Sequence, residues 1–534
     1  MKKTWVMFAV AGAAVAAALI IKVVQPQYDV AVVLQESGIK SLKVNKLEFI
    51  DNGEFKVNQV VLKKPGGETQ PGSTNGTPVM DQAQKELTET FPWGQVKVRY
   101  QTLRNRLSLT ITTTNSSETD TIQGLLFTPM ILRFPDKVVE YDGSVPLLMH
   151  NIGDVAQVRV SYGTGSLAIV SEDIDKQLMI GFPWALDRPK NTVFPLSVHT
   201  DRVNNYPDSY PTITRPIPPK GTDEFHISLR FGRTDASEND LVGDVYRQFA
   251  QTFPFRVKWQ DRRPIGAIFL ATASQSWATN PEGWFGDSHV NVTTPAGRAE
   301  FKQRLMTLAD TAVSVMKSMN AQGAITWDIE GQQFAHAISY IGDPRVVAEL
   351  APEMDEIADE YFARIRNAGL RVGVAVRPQQ LTVSSDKKSA TQTPAADPAQ
   401  LLIDKIGYAR KRWNATLIYV DSNANSTNSN PMDSAVLQKV LDAFPDILLI
   451  PEHSTMRYYA YSAPYKELRK GGLGTDDGVR AVYPEAFSVI YTADGPLDLY
   501  QKRLTNSVKQ GDVLMYRTWF PDPQNEKVKA LIGH

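Results

Sequence analysis

The 534-residue sequence contains no cysteine, which removes disulfide cross-links, a thiol nucleophile and thiolate metal ligation at once. It has seven histidines, few for the imidazole-rich sites of hydrolytic zinc. Charge of one sign is also missing, since 57 basic against 58 acidic residues leave a formal net charge of −1. Neither nucleic acid nor an anionic membrane surface is therefore an expected partner. What remains is an ordinary globular composition, 42% hydrophobic and 22% charged. At this length two or more domains are expected.

One long apolar run stands out, residues 4–21, preceded by Lys2 and Lys3 and followed by Lys22 and Pro26. Residues 1–27 read as an export signal. The small residues between Ala13 and Ala18 suit a cleavage site, while the run also approaches the ~20 residues that span a bilayer. A cleaved signal peptide and a retained signal anchor both stay open. In either case the basic flank keeps the N-terminus cytoplasmic and sends the rest outward, to a periplasmic, extracellular or membrane-anchored location. Membrane contact is expected only through this segment.

Residues 28–255 alternate apolar and polar positions, as in Val96-Lys97-Val98-Arg99-Tyr100 and Leu107-Ser108-Leu109-Thr110-Ile111-Thr112, with turn-rich breaks between. Such alternation predicts an antiparallel β-sandwich. From 256 to 534 the texture changes to apolar runs separated by amphipathic helices, the pattern of βαβ units. Strands are expected at 265–271, 324–329, 371–376, 416–420, 447–451, 487–492 and 513–517. Helices are expected at 295–319, 344–368, 398–413, 433–444 and 496–510. Seven units are clear, with 479–484 the place for an eighth strand. No Gly-rich phosphate loop follows the first strand, so a (β/α)8-like barrel of TIM type, irregular if incomplete, is preferred to a doubly wound sheet.

Barrel chemistry sits at the C-terminal ends of strands. Here those ends read Trp327-Asp328-Ile329-Glu330-Gly331, Val376-Arg377, Val420-Asp421-Ser422-Asn423, Pro451-Glu452-His453 and Arg517-Thr518-Trp519. Carboxylates converging at such a rim suit a reaction better than a core, because burying each one unpaired is costly. Glycosidic cleavage needs two carboxyl groups, roughly 5 to 5.5 Å apart for retention and about 6.5 to 9.5 Å for inversion. Asp421 and Glu452, on consecutive strands, are the expected catalytic pair. Each alone could equally be a helix cap or an arginine partner.

The stretches Leu417-Ile418-Tyr419-Val420-Asp421 and Leu448-Leu449-Ile450-Pro451-Glu452 resemble the two catalytic strands of the endo-α-N-acetylgalactosaminidases of glycoside hydrolase family 101. That family also places a β-sandwich before its barrel. The resemblance implies a retaining mechanism with Asp421 as nucleophile and Glu452 as acid/base. The Asn/Ser-rich loop 422–430 departs from the family's continuation, so substrate identity does not carry over.

Further expected substrate contacts are Asp328, Glu330, Arg377, Asn423, His453, Arg517 and Trp519, with Trp277 and Trp284 in the loop 274–295 forming either an aromatic wall or a lid packed on the β-sandwich. Asp328 and Glu330 could instead form a structural network with Arg377. Asp494, after the strand counted sixth, is a spare acid, the position from which α-galactosidase-like barrels supply their proton donor. The tyrosines at 458, 459, 461 and 465 read as a core cluster. No cofactor is expected, although an oxygen-only Ca²⁺ or Mg²⁺ site fits the composition. Two other classes compete with a glycosidase acting on an oligo- or polysaccharide. One is a metal-dependent hydrolase with Asp328, Glu330 and His453 as ligands; the other is an inactive, glycan-binding barrel.

Overall fold

A computed structural model describes residues 28–134, 138–141, 154–155, 157–176, 178–182, 193–200, 215–271, 276–331, 340–385, 390–424 and 431–532. The N-terminal segment expected to direct export lies outside them.

The alternating segments form antiparallel sheets. Strand Arg106–Asn115 sits inside an eight-stranded sheet, pairing with Gly94–Leu103 on one side and Thr222–Gly232 on the other. Its burial alternates strictly, with Leu107, Leu109 and Ile111 no more than 1% exposed. A period of two places these residues on one face. A five-stranded sheet, containing Lys56–Lys63 and Thr121–Thr128, supplies Val60, Leu62, Leu125 and Phe127 to the same core. The two sheets thus pack as a sandwich.

The later segments form eight parallel strands. In chain order they are Ile265–Phe269, Gly323–Trp327, Arg371–Val376, Leu417–Val420, Leu448–Pro451, Tyr465–Glu467, Val489–Tyr491 and Val513–Arg517. Hydrogen bonding runs fifth, fourth, third, second, first, eighth, seventh, sixth, which closes the barrel except between the fifth and sixth. That seam is bridged by the Ala463 N–H, which donates to the Leu449 carbonyl at 2.9 Å. Helices Pro295–Ser318, Pro352–Asn367, Pro398–Trp413, Ser434–Ala443 and Leu497–Lys509 pack outside, close to the positions read from periodicity. Proline opens three of them at the first turn, where its missing N–H costs nothing.

The expectation for the eighth strand fails. Residues 479–484 largely belong to helix Asp477–Val482, and the additional strand is Tyr465–Glu467. Its three residues, Tyr-Lys-Glu, are too short and too polar to announce a strand. Lys466 faces away from the barrel toward Asp476, at 3.5 Å, while Tyr465 points into the interior with Tyr419 and Tyr491. Of the expected tyrosine cluster, Tyr458, Tyr459 and Tyr461 are buried on or beside a 3-10 turn and Tyr465 is a barrel residue. The strand Val489–Tyr491 is consequently the seventh, so Asp494 follows the seventh strand, not the sixth.

Sandwich and barrel share a core. Helix Glu238–Thr252, started by a Ser237/Asp240 capping box, buries Leu241, Val242, Val245, Tyr246 and Phe249. These pack in one cluster with Ala168 and Val170 of the sandwich and Val479 and Tyr483 beside the barrel. Arg230, 1% exposed, ties the last sandwich strand to this helix through the Leu241 carbonyl at 3.0 Å and to Glu172 at 2.7 Å.

Trp284 departs from its expected place in a substrate wall. The loop after the first strand folds back, the Phe285 N–H donating to the Leu270 carbonyl at 2.7 Å. Trp284 is 0% exposed, packs on Phe301, and donates its indole N–H to Glu353 at 2.7 Å. Asn280, also fully buried, pins the loop through the backbone of Trp284 and Asp287. We expect Trp284→Ala to destabilise the protein by about 3 to 5 kcal/mol, the range for emptying a large aromatic site. Urea unfolding measures this, and an unchanged midpoint would contradict the packing described.

Candidate active site

The strand order brings Asp421, from the end of the fourth strand, between Arg377 of the third and Glu452 of the fifth. Asp421 is 4% exposed and Arg377 5%. Two guanidinium nitrogens, Nε and Nη2, converge on Asp421 Oδ2. Ser422 bridges the expected pair: its hydroxyl donates to Asp421 Oδ2 at 3.1 Å, and its backbone N–H donates to Glu452 Oε2 at 2.9 Å. The left-handed backbone of Ser422, φ 52°, turns both groups toward the rim. Burial pushes the Asp421 carboxyl above the usual range, Arg377 pulls it back, and Glu452 pushes it up again. His453 lies 3.6 Å from Glu452 Oε2 and is half exposed.

Asp328 and Glu330 leave the second strand at its end, Asp328 with a left-handed φ of 62°. Asp328 is 4% exposed, with the Ala271 backbone as a polar neighbour and no side-chain hydrogen-bond partner among the described residues. Burial and then the charge of Glu330 drive its pKa well up. Burial likewise pushes Glu330 up to about 8, with Asp343 adding to it and Lys405 opposing. The structural alternative, pairing of these two acids with Arg377, is not what forms. Arg377 turns to Asp421, although its charge still lowers Asp328.

A layer of aromatic rings lies beneath the carboxylates. Phe269 stacks on Trp327 at 4.8 Å, Trp327 meets Tyr419 at 5.1 Å, Tyr419 meets Tyr465 at 5.3 Å, and Tyr465 meets Tyr491 at 6.1 Å. Beside it opens a cavity of about 400 Å³, lined by Phe269, Ala271, Tyr340, Arg469, Tyr491, Asp494, Arg517 and Trp519. Arg517 pairs with Asp494, and Trp519 stands edge-on to Phe269 at 5.3 Å. Tyr340 joins the cavity to the carboxylates: Arg377 lies 5.6 Å from its ring centre, and burial first, then the charges of Asp328 and Asp421, raise its phenol.

Two other expected contacts have the following surroundings. Asn423 is fully buried and clamps the fourth-strand turn to the fifth, accepting from the His453 N–H and donating to the His453 carbonyl, each at 2.9 Å. A side chain so engaged positions the rim. Trp277 is half-buried in a turn closed by backbone bonds with Asn280. Asp328, Glu330 and His453 do not assemble as ligands: no group of three His, Asp or Glu arranged to hold a metal occurs among the described residues. Sequence reasoning missed Tyr340, Tyr491, Arg469, Ser422 and two glutamines, Gln379 and Gln392, that reach the rim from a hairpin. Ser422 was adjacent to a named candidate; the others carried no local signal.

No protein-family model matches the chain, and no curated protein matches it. Among solved structures it is similar to an α-galactosidase from Lactobacillus brevis, with 11% identity, 89% of this chain and 72% of that one covered, and a TM-score of 0.42. It is also similar to a β-arabinopyranosidase, with 11% identity, coverage of 83% and 69%, and a TM-score of 0.37. A third is a Flavobacterium johnsoniae dextranase of glycoside hydrolase family 31, with 7% identity, coverage of 86% and 68%, and a TM-score of 0.36. Likenesses this distant assign neither a family nor a residue role, and the family 101 resemblance remains one of two short stretches.

Glu330 gives a test of the buried rim. Its folded pKa of about 8 stands above the unfolded value, so the folded state binds the extra proton between the two. Stability from this group is therefore full below about pH 4.3 and falls as pH rises toward the folded pKa. Glu330→Gln should raise the melting temperature relative to wild type at about pH 8 and much less at about pH 5. Equal shifts at the two pH values would show that Glu330 is not held in its neutral form.

Proposed function

We propose that the chain is a glycoside hydrolase that cleaves an oligo- or polysaccharide with retention of configuration. The observation that carries this reading is Ser422, which touches Asp421 and Glu452 at once and so brings two rim carboxylates together. Asp421 attacks the anomeric carbon as the bond to the leaving oxygen breaks, and Glu452 gives that oxygen a proton. A glycosyl ester on Asp421 results. Water, deprotonated by Glu452, then attacks the same carbon and releases Asp421. Arg377 and Ser422 both hold Oδ2, which assigns the attack to Oδ1. Asp328, without a side-chain partner among the described residues, takes a sugar hydroxyl, and the aromatic rim takes apolar sugar faces. Export through residues 1–27 belongs to the same proposal.

A second reading, glycan binding without cleavage, is favoured by one observation. The cavity is lined by the Asp494–Arg517 pair and not by Asp421 or Glu452. The two readings separate on a panel of aryl α- and β-glycosides and dye-linked polysaccharides. Glu452→Gln should lower turnover by about 10² to 10⁴-fold, the range for a lost general acid/base, while keeping the melting temperature. Asp421→Asn should abolish turnover and also lower the melting temperature, because Arg377 is left buried without its counter-charge. Full activity in either variant would sink the assignment, and binding of glycan without turnover by the wild-type protein would establish the second reading.

A further inference from the structure

Directly after the third strand the chain forms a hairpin, Gln379–Val383 paired antiparallel with Ala390–Pro394, before entering helix Pro398–Trp413. Gln379 donates to the Ser422 carbonyl at 2.7 Å. Gln392 is half-buried and opposite Leu381 in the hairpin register. Its Oε1 accepts from Arg377 Nη1 at 2.6 Å, and its Nε2 donates to the carbonyls of Tyr340 and Ile341 at 3.0 and 2.9 Å. An amide whose donor side is bound to two carbonyls can only turn its oxygen one way, and that way is the guanidinium. The guanidinium is a rigid planar fork. Gripped at Nη1 by Gln392 and meeting Asp421 through Nε and Nη2, it cannot rotate without losing one set of bonds.

We propose that Gln392 is a positioning residue, fixing Arg377 so that the guanidinium stays on Oδ2 and Asp421 stays ionised for attack. The inference rests on Asp421 acting as the nucleophile. The groups that act on Asp421 are Arg377 from the third strand, Glu452 from the fifth, Asp328 from beyond the second, Tyr340 from the loop that follows, and Ser422 and Tyr419 from its own segment. Among these Arg377 is the cation. A nucleophilic carboxylate works above its pKa, so anything that loosens Arg377 raises that pKa and moves the acid limb of the activity profile to higher pH.

The test is the pH dependence of kcat and kcat/KM for wild type, Gln392→Ala, Gln392→Met and Gln380→Ala, on whichever 4-nitrophenyl glycoside or dye-linked polysaccharide the wild type hydrolyses. Gln392→Met keeps the bulk of the side chain and removes only its hydrogen bonds, which covers the case of a poorly folding alanine variant. Gln380 is exposed on the same hairpin and controls for general disturbance. Both Gln392 variants should move the acid limb up by about half to one pH unit, with kcat reduced more than KM is changed, and Gln380→Ala should leave it in place. A limb that stays put in both Gln392 variants overturns the proposal and leaves the role of Asp421 standing. An equal shift in Gln380→Ala overturns it too. A wild-type protein that hydrolyses none of these substrates overturns the proposed function and this inference together.

Discussion

A carboxylate kept ionised while shut away from water at the end of a barrel strand needs a cation beside it, and Arg377 supplies that cation to Asp421 from the neighbouring strand. The need then passes outward. Arg377 is itself buried and must spend its remaining donors, one of them on Gln392. Its carbonyl, at the strand end, is met at 2.8 Å by the amine of Lys405 from helix Pro398–Trp413. Lys405 is 0% exposed and in turn faces Asp343, which is held bidentately by Arg345 at 2.8 Å. One buried ion pair at the rim thus fixes the hairpin, the helix behind it and the loop after the second strand. Removing a member would leave a charge or donor without its partner, which costs more than the intact pair contributes.

The rim has a second physical signature. Asp328, Ser422 and Asp494 directly follow or lie just beyond the second, fourth and seventh strands, and all three take left-handed backbone, φ 62°, 52° and 60°. Such conformations are uncommon outside glycine, and aspartate tolerates them better than most residues. Each one turns the chain sharply at the strand end, where the following residues leave for the next helix. Backbone strain of this kind persists where the surroundings over-determine it. For Ser422 those surroundings are Asp421, Glu452 and Gln379.

Much of the barrel was legible because parallel strands buried on both faces read as unbroken apolar runs, as in Leu417–Val420 and Leu448–Pro451. The sixth strand was not, because three residues with an outward lysine carry no such run. The convergence of Asp421 with Glu452 followed from strand adjacency. The pairing of Asp421 with Arg377 did not, since the sequence matched the arginine with Asp328 and Glu330 instead. Trp284 misled for a different reason: a tryptophan in a loop near glycine looks exposed, and its burial depends on Glu353, 69 residues away. Gln392 was invisible for the same cause, its partners lying at Arg377, Tyr340 and Ile341. Side chains that work by bracing others have no local pattern to read.

The seam between the fifth and sixth strands explains why the sandwich is joined to the barrel so closely. With the Ala463–Leu449 bond bridging that gap, the segment after Glu452 needs support from outside the sheet. The sandwich provides it. Asp154 accepts from the Met456 N–H at 2.5 Å, and Arg457 donates to the Ile174 carbonyl at 2.9 Å while its guanidinium lies 4.0 Å over the Phe253 ring. The strand end bearing Glu452 is therefore braced from the sandwich side, and the one bearing Asp421 from the hairpin side. Two supports from opposite directions meet at Ser422 and Asn423, where the separation of the two carboxylates is set.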